Sequence, residues 1–190
     1  MVEELTKKKE SCDRYLESKM EELWEISKYI HANPELCFTE VKACTEQCKF
    51  LEKYGFQVEK GVGTLDTAYC ATFSNDKKGP VIAVVSEYDA LPIGHACGHN
   101  LIACTALGTA IEVKKFMEDT GISGTLKVIG TPAEESGGGK IILLEHGVFD
   151  GVDAVFMVHP TSDTTRLAGA CLSSKRYKVI YHGVSAHAGS

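Results

Sequence analysis

No stretch of this 190-residue chain approaches the roughly 18 consecutive apolar residues a membrane span would need. Nothing apolar follows Met1-Val2-Glu3-Glu4-Leu5 either, so a secretory leader is not expected and the chain is assigned to the cytoplasm. Basic clusters are also missing. The longest run is Lys7 to Lys9 and the net charge is -6, which argues against a nucleic-acid or membrane-surface partner and for a small-molecule one. There is no internal repeat, no low-complexity tract, and no linker before residue 172. A disulfide framework is not expected. The eight cysteines sit inside apolar or helical stretches, as thiols in a reducing compartment do. Cys44 and Cys48, four apart on one helical face, read as core packing.

What is present suffices for a core, since 44% of the residues are apolar. Tyr15, Leu16, Leu23, Trp24, Ile26 and Ile30 keep helical spacing over 11 to 32, up to Asn33-Pro34. A second helix is predicted from Thr39 until Gly55 stops it. Strand patterns then take over at Ala68 to Phe73 and at the continuously apolar Pro80 to Val85. After a loop, a helix capped by Asn100 runs to about Asp119. Thr125 to Gly130 reads as a strand, Gly139 to His146 as a helix, and Ala154 to Val158 as another buried strand. Strands alternating with helices predict an α/β fold with helices on both faces of one sheet. Residues 1–172 form the main domain in this reading. From Ser173 an alternating pattern around Tyr177, Val179 and Tyr181 predicts a half-exposed strand opening a second domain over 173–190.

Three chemically rich clusters follow buried strands: Glu87-Tyr88-Asp89, Glu134-Glu135 and His159-Pro160. In open α/β sheets the carboxyl ends of strands converge on one crevice. Cys97 and His99, with Gly98 turning between them, offer a thiolate and an imidazole for one metal site. A loop thiol at a helix N-terminus, its pKa lowered to make a nucleophile, is the other reading. Adjacent Glu134 and Glu135 suit one carboxylate on a cation and one handling protons, or two acids favoured by a helix dipole. His159 adds a further imidazole, and the mixed donor set suits zinc or manganese better than calcium. His31, His146 and His182 read as surface or packing residues, and His95 as at most an indirect support of the site.

Four motifs, Ser86-Glu87-Tyr88-Asp89-Ala90-Leu91-Pro92, His95-Ala96-Cys97-Gly98-His99-Asn100, Pro132-Ala133-Glu134-Glu135 and Gly183-Val184-Ser185-Ala186-His187-Ala188, resemble in order and spacing the amidohydrolase branch of the M20 metallopeptidases. The resemblance covers the chain from about His31 onward. It implies an M20-type catalytic domain with a mixed sheet, followed by the start of an α+β lid domain. Cys97 is then the ligand bridging two divalent metal ions, zinc or manganese, with His99 and His159 on one metal and Glu135 on the other. Glu134 is the general base, and Asp89 orients a ligand. His187 becomes the lid histidine that helps stabilise the oxyanion in a partner subunit's site, within a homodimer joined through the lid.

The implied substrate is a dipeptide or N-acyl amino acid. Asn100, where most members carry aspartate, together with Glu87 and Tyr88, places the chain nearest the dipeptidases that prefer a basic C-terminal residue and the aminobenzoyl-glutamate hydrolases. The loop after Pro92 is one glycine shorter than usual. Members run to roughly twice this length, more than one domain's worth. The resemblance therefore implies a chain ending at Ser190 before a final ligand histidine, inactive as a hydrolase by itself. The competing expectation is a truncated isoform or incomplete gene model that binds only metal or a full-length partner.

Overall fold

The computed structural model describes residues 2–75, 78–162, 164–165, 167, 173, 177–187 and 189. Its elements, in chain order, are α1 (Val2–Glu17), α2 (Met20–Ala32), α3 (Val41–Lys53), β1 (Gln57–Lys60), β2 (Tyr69–Ser74), β3 (Val81–Ser86), α4 (His99–Thr120), β4 (Thr125–Gly130), α5 (Gly139–Glu145) and β5 (Ala154–Phe156), with a short 3-10 turn at Val62–Thr64. The strands form one mixed sheet in the order β1-β2-β4-β3-β5. β1 to β2 and β2 to β4 are antiparallel, whereas β4, β3 and β5 run parallel.

The alternation of side chains along each strand assigns the two faces. Val84, Leu126 and Val128 pack beneath α2, α3 and α4 with Ile30, Leu51, Leu107 and Ile111. On the opposite face Ala83 and Ile129 meet Val62, Ala68 and Leu143 of α5. Helices thus cover both faces, as the alternating pattern predicted. Cys44 and Cys48 are buried in the larger core with their sulfurs 3.9 Å apart. Buried Gln47 links the layers, its Oε1 accepting from Tyr69 Oη (3.0 Å) and Ser86 Oγ (2.6 Å).

Four local expectations are corrected. The single helix read over 11 to 32 is two, broken at Ser18-Lys19, where the Ser18 hydroxyl donates to Tyr15 O (2.6 Å) and Lys19 N to Leu16 O (2.8 Å). Local bonds of this kind compete with the helical ladder. Asn100 does not cap α4. The cap position is Gly98, in left-handed conformation (φ 76°), and the Asn100 amide instead donates to Ser27 Oγ of α2 (2.9 Å). Ala154–Phe156 is an edge strand rather than a buried one, and Val155, Phe156 and Val158 are 50 to 61% exposed. Only one neighbour, β3, pairs with it among the described residues, so its other side lacks cover. Of the strand expected after Ser173, Lys175 and Arg176 lie outside the described residues, and 177–181 carries no regular structure. A strand forms only against a partner edge, and none pairs with 177–181 among the described residues.

By internal packing the chain divides into Met1–Pro160 and Thr161–Ser190. The boundary read at 172/173 has Leu172 outside the described residues.

Candidate metal centre

The carboxyl ends of β3, β4 and β5 deliver the site. β3 and β4 run in register to Ser86 and Gly130, and Thr131 N donates to Ser86 O (2.8 Å), so the chain leaves both strands at one level. Everything from Ala83 to Ala90 is buried, which carries Glu87 and Asp89 inward rather than into solvent. Tyr88 between them is anchored by its hydroxyl, which donates to Thr67 O (2.6 Å). Gly98 turns the chain so that the first residue of α4, His99, enters the same crevice.

His99 is the centre of the cluster. Its Nδ1 faces two acceptors, Asp89 O at 2.9 Å and Asp89 Oδ1 at 3.1 Å, so Nδ1 carries the proton and the Nε2 lone pair is left for a cation. That Nε2 lies 3.5 Å from Glu87 Oε2, 3.7 Å from Glu135 Oε1 and 3.9 Å from Glu134 Oε2. The His159 ring stands edge-on to the His99 ring with centroids 5.8 Å apart. His159 Nδ1 donates to Pro160 O (2.7 Å), which fixes the same tautomer and again frees Nε2. Asp89 makes a second bond, Oδ2 accepting from Glu135 N (2.9 Å), so one buried carboxylate sets both the imidazole and the Glu135 backbone.

Cys97 is half-buried at the rim, and its thiol hydrogen-bonds the Glu135 carboxylate. That bond, then burial and the charges of Glu135, Glu134 and Asp89, push its pKa up to about 11. A thiolate in this acidic setting needs a cation beside it, which disfavours a free cysteine nucleophile. Burial, Glu87 and Glu135 raise the Glu134 carboxyl above the ordinary range, against the opposing pull of Lys140. His187 belongs to the second unit, where its Nδ1 accepts from Gly189 N (3.1 Å).

The donors fit a divalent cation. Glu87, His99 and His159 place one ligand atom each within 4.8 Å of one another, and so do His99, Glu134 and Glu135. Glu87 Oε2 and His99 Nε2 are buried and make no hydrogen bond, an arrangement that is costly for a carboxylate unless a cation completes it.

Two supporting residues escaped the sequence reading. Glu40, with no exposed surface, accepts from Ala133 N (2.8 Å) and Phe38 N (2.9 Å) through Oε1 and from Thr67 Oγ1 (3.0 Å) through Oε2. Ala133 has a positive φ of 58°, so Glu40 holds a strained residue next to Glu134. Lys140 of α5 pairs with Glu87 Oε1. An acid just before a helix and a lysine within one carry no pattern of their own that announces either contact.

Comparison with known proteins agrees with the geometry. A model of peptidase family M20/M25/M40 matches residues 83–183. The chain is 34% identical to a subunit of the p-aminobenzoyl-glutamate hydrolase of Escherichia coli over 93% of its own length and 40% of that protein's. It is 36% identical to a Mus musculus Xaa-Arg dipeptidase, over 95% of this chain and 44% of the relative. The Bacillus subtilis YXEP protein, a dinuclear metal-binding peptidase of the M20 family, superimposes with a TM-score of 0.70 at 31% identity, covering 77% of this chain and 45% of that one. The chain therefore spans less than half the length of these relatives. With its mixed sheet, its ligand cluster at the strand ends and a family match over more than half of its residues, the chain belongs to peptidase family M20/M25/M40.

Proposed function

We propose that this chain carries most of the catalytic half of a two-metal amide-bond hydrolase. The observation that carries the reading is the buried His99, its tautomer fixed by Asp89 and its Nε2 aimed at three carboxylates. Cys97, His99, Glu135 and His159 would hold two divalent ions, zinc or manganese. When bound, such ions lower the pKa of water toward about 7 and polarise the substrate carbonyl. Glu134 takes the proton from the attacking water and returns it to the departing amine, and its raised pKa suits that exchange. Asp89 orients His99 and stiffens the backbone at Glu135.

The relatives' names support a dipeptide or N-acyl amino acid as substrate, and we assign a basic C-terminal residue as the preferred one. Residues 173–190 open the lid, through which two chains pair, and His187 serves the partner's oxyanion. The site of action is the cytoplasm. Metal content after dialysis against zinc or manganese tests the core of this reading, and hydrolysis of dipeptides ending in Arg, Lys or Leu tests its specificity. Bound metal, lost with Cys97→Ser, is expected. A chain that retains no metal overturns the proposal.

A further inference from the structure

Glu87 has no role in that scheme, yet it is nearly as buried as Asp89. It is 2% exposed, and its two oxygens live differently. Oε1 is paired with Lys140. Oε2 makes no hydrogen bond and points at His99 Nε2, 3.5 Å away, which makes none either, with His159 Nε2 at 4.0 Å. In a tetrahedral zinc site with bonds of about 2.0 to 2.2 Å, neighbouring donor atoms stand about 3.4 Å apart. The spacing from Glu87 to His99 already matches, and the one to His159 needs only a small closure.

We propose that Glu87 is itself a metal ligand, with Oε2 joining His99 Nε2 and His159 Nε2 around one cation while Lys140 holds Oε1. The inference rests on the metal-binding reading above and adds a donor to it. A carboxylate buried solely to pair with Lys140 would turn its second oxygen toward a donor, because a buried unpaired oxygen carries a desolvation penalty. Here it faces two imidazole nitrogens that, in the neutral rings, carry their protons on the far side and so offer it lone pairs rather than donors. Three donor atoms lie within 4.8 Å of one another, a spacing that a single cation satisfies while both rings stay neutral. Lys140 leaves Glu87 one oxygen to ligate with, making it monodentate.

The test is zinc and cobalt titration of this chain, followed by calorimetry and by the visible cobalt spectrum. Glu87→Gln is expected to weaken the tighter site by about 100-fold or more, beyond the 10- to 100-fold typical of outer supporting groups, and to change the cobalt band. Lys140→Met removes a support but no ligand, so it is expected to weaken affinity by no more than about 10- to 100-fold and to leave the band shape intact. Parent-like affinity and spectrum in Glu87→Gln overturn the proposal, as does a larger loss in Lys140→Met than in Glu87→Gln. Should Glu87→Gln not fold, by circular dichroism, a zinc-anomalous crystal structure of the parent decides. A metal beyond about 3 Å from Glu87 Oε2 overturns the assignment, because zinc to carboxylate bonds are about 2.0 to 2.2 Å. If the parent binds no metal, this proposal and the functional reading both fall. If the parent binds through Cys97 but ignores Glu87→Gln, only the ligand assignment does.

Discussion

At the scale of single residues, buried carboxylates organise the site before any cation arrives. Glu40 satisfies the buried Ala133 amide and Thr67 hydroxyl together with the part-buried Phe38 amide. Glu40→Ala is expected to destabilise the chain by about 3 to 5 kcal/mol in urea denaturation, because removing an acceptor leaves buried donors unpaired. Glu40→Gln keeps one accepting oxygen and should lose less. Glu134 and Glu135, though adjacent, are expected to separate in function. Glu134→Gln should retain metal and lower turnover of the full-length enzyme by about 10² to 10⁴. Glu135→Gln should lose metal as well, read by metal analysis after dialysis. Equal metal loss in both variants contradicts the division of roles.

Among the elements, the turn between β4 and α5 is the most tightly built. A Cβ added to Gly139 would stand 1.9 Å from Pro132 O, a backbone atom with no freedom to retreat. Gly139→Ala should therefore shift the loop bearing Glu134 and Glu135, lowering stability by roughly 1 to 3 kcal/mol and weakening zinc binding together. A parent-like zinc affinity would show that the loop tolerates the shift. At the other end of the sheet, β5 presents an apolar edge, with Val155 50% exposed. Such edges template pairing between chains. Val155→Lys is expected to reduce light scattering of concentrated samples while moving the urea midpoint by no more than about 0.5 kcal/mol equivalent. Unchanged scattering would place the aggregation-prone surface elsewhere.

For the molecule as a whole, the site ties stability to pH. Burial opposes ionisation of Asp89, but hydrogen bonds from His99 and Glu135 outweigh it and hold the carboxyl below its ordinary 3.8. That contribution is complete above 3.8 and is lost as pH falls through the lower folded value. His99 runs the other way. Burial pulls its pKa down, yet Asp89, Glu87 and Glu135 together raise it above 6.5. Its contribution is complete below 6.5 and disappears as pH rises through the higher folded value. With chelator present, the urea midpoint should therefore fall between about pH 6 and pH 8.5, by up to about 1.4 kcal/mol for each unit by which the folded pKa is raised. His99→Asn should flatten that slope. Saturating zinc should reverse it, because a cation binds the neutral imidazole. A flat profile in the chelated parent would remove His99 from the account.

The alternating strand and helix patterns were enough to read an α/β fold with helices on both faces, since amphipathic period and buried apolar runs are local properties of the chain, whereas the mixed strand directions came from the family resemblance. β3, β4 and α5 fell within a residue or two of their expected bounds, and the clusters at the strand ends were visible because strand ends are where side chains converge. The sequence by itself also determined which residue types stand at those ends (Glu87, Asp89, Glu134, Glu135 and His159) and at the start of α4 (Cys97 and His99). Only the tertiary structure decided how they are used. It paired Asp89 with both His99 and Glu135, moved Asn100 from a cap to a contact with Ser27, and left β5 at an edge. It also set Glu40 and Glu87 in the interior, where a charged group needs partners contributed by distant segments. Two of Glu40's three partners are 27 and 93 residues away, and the partner of Glu87 is 53 away. Hydrogen bonds and desolvation act through space over a few ångströms, and a periodicity read along the chain carries no record of which distant residue will occupy that space.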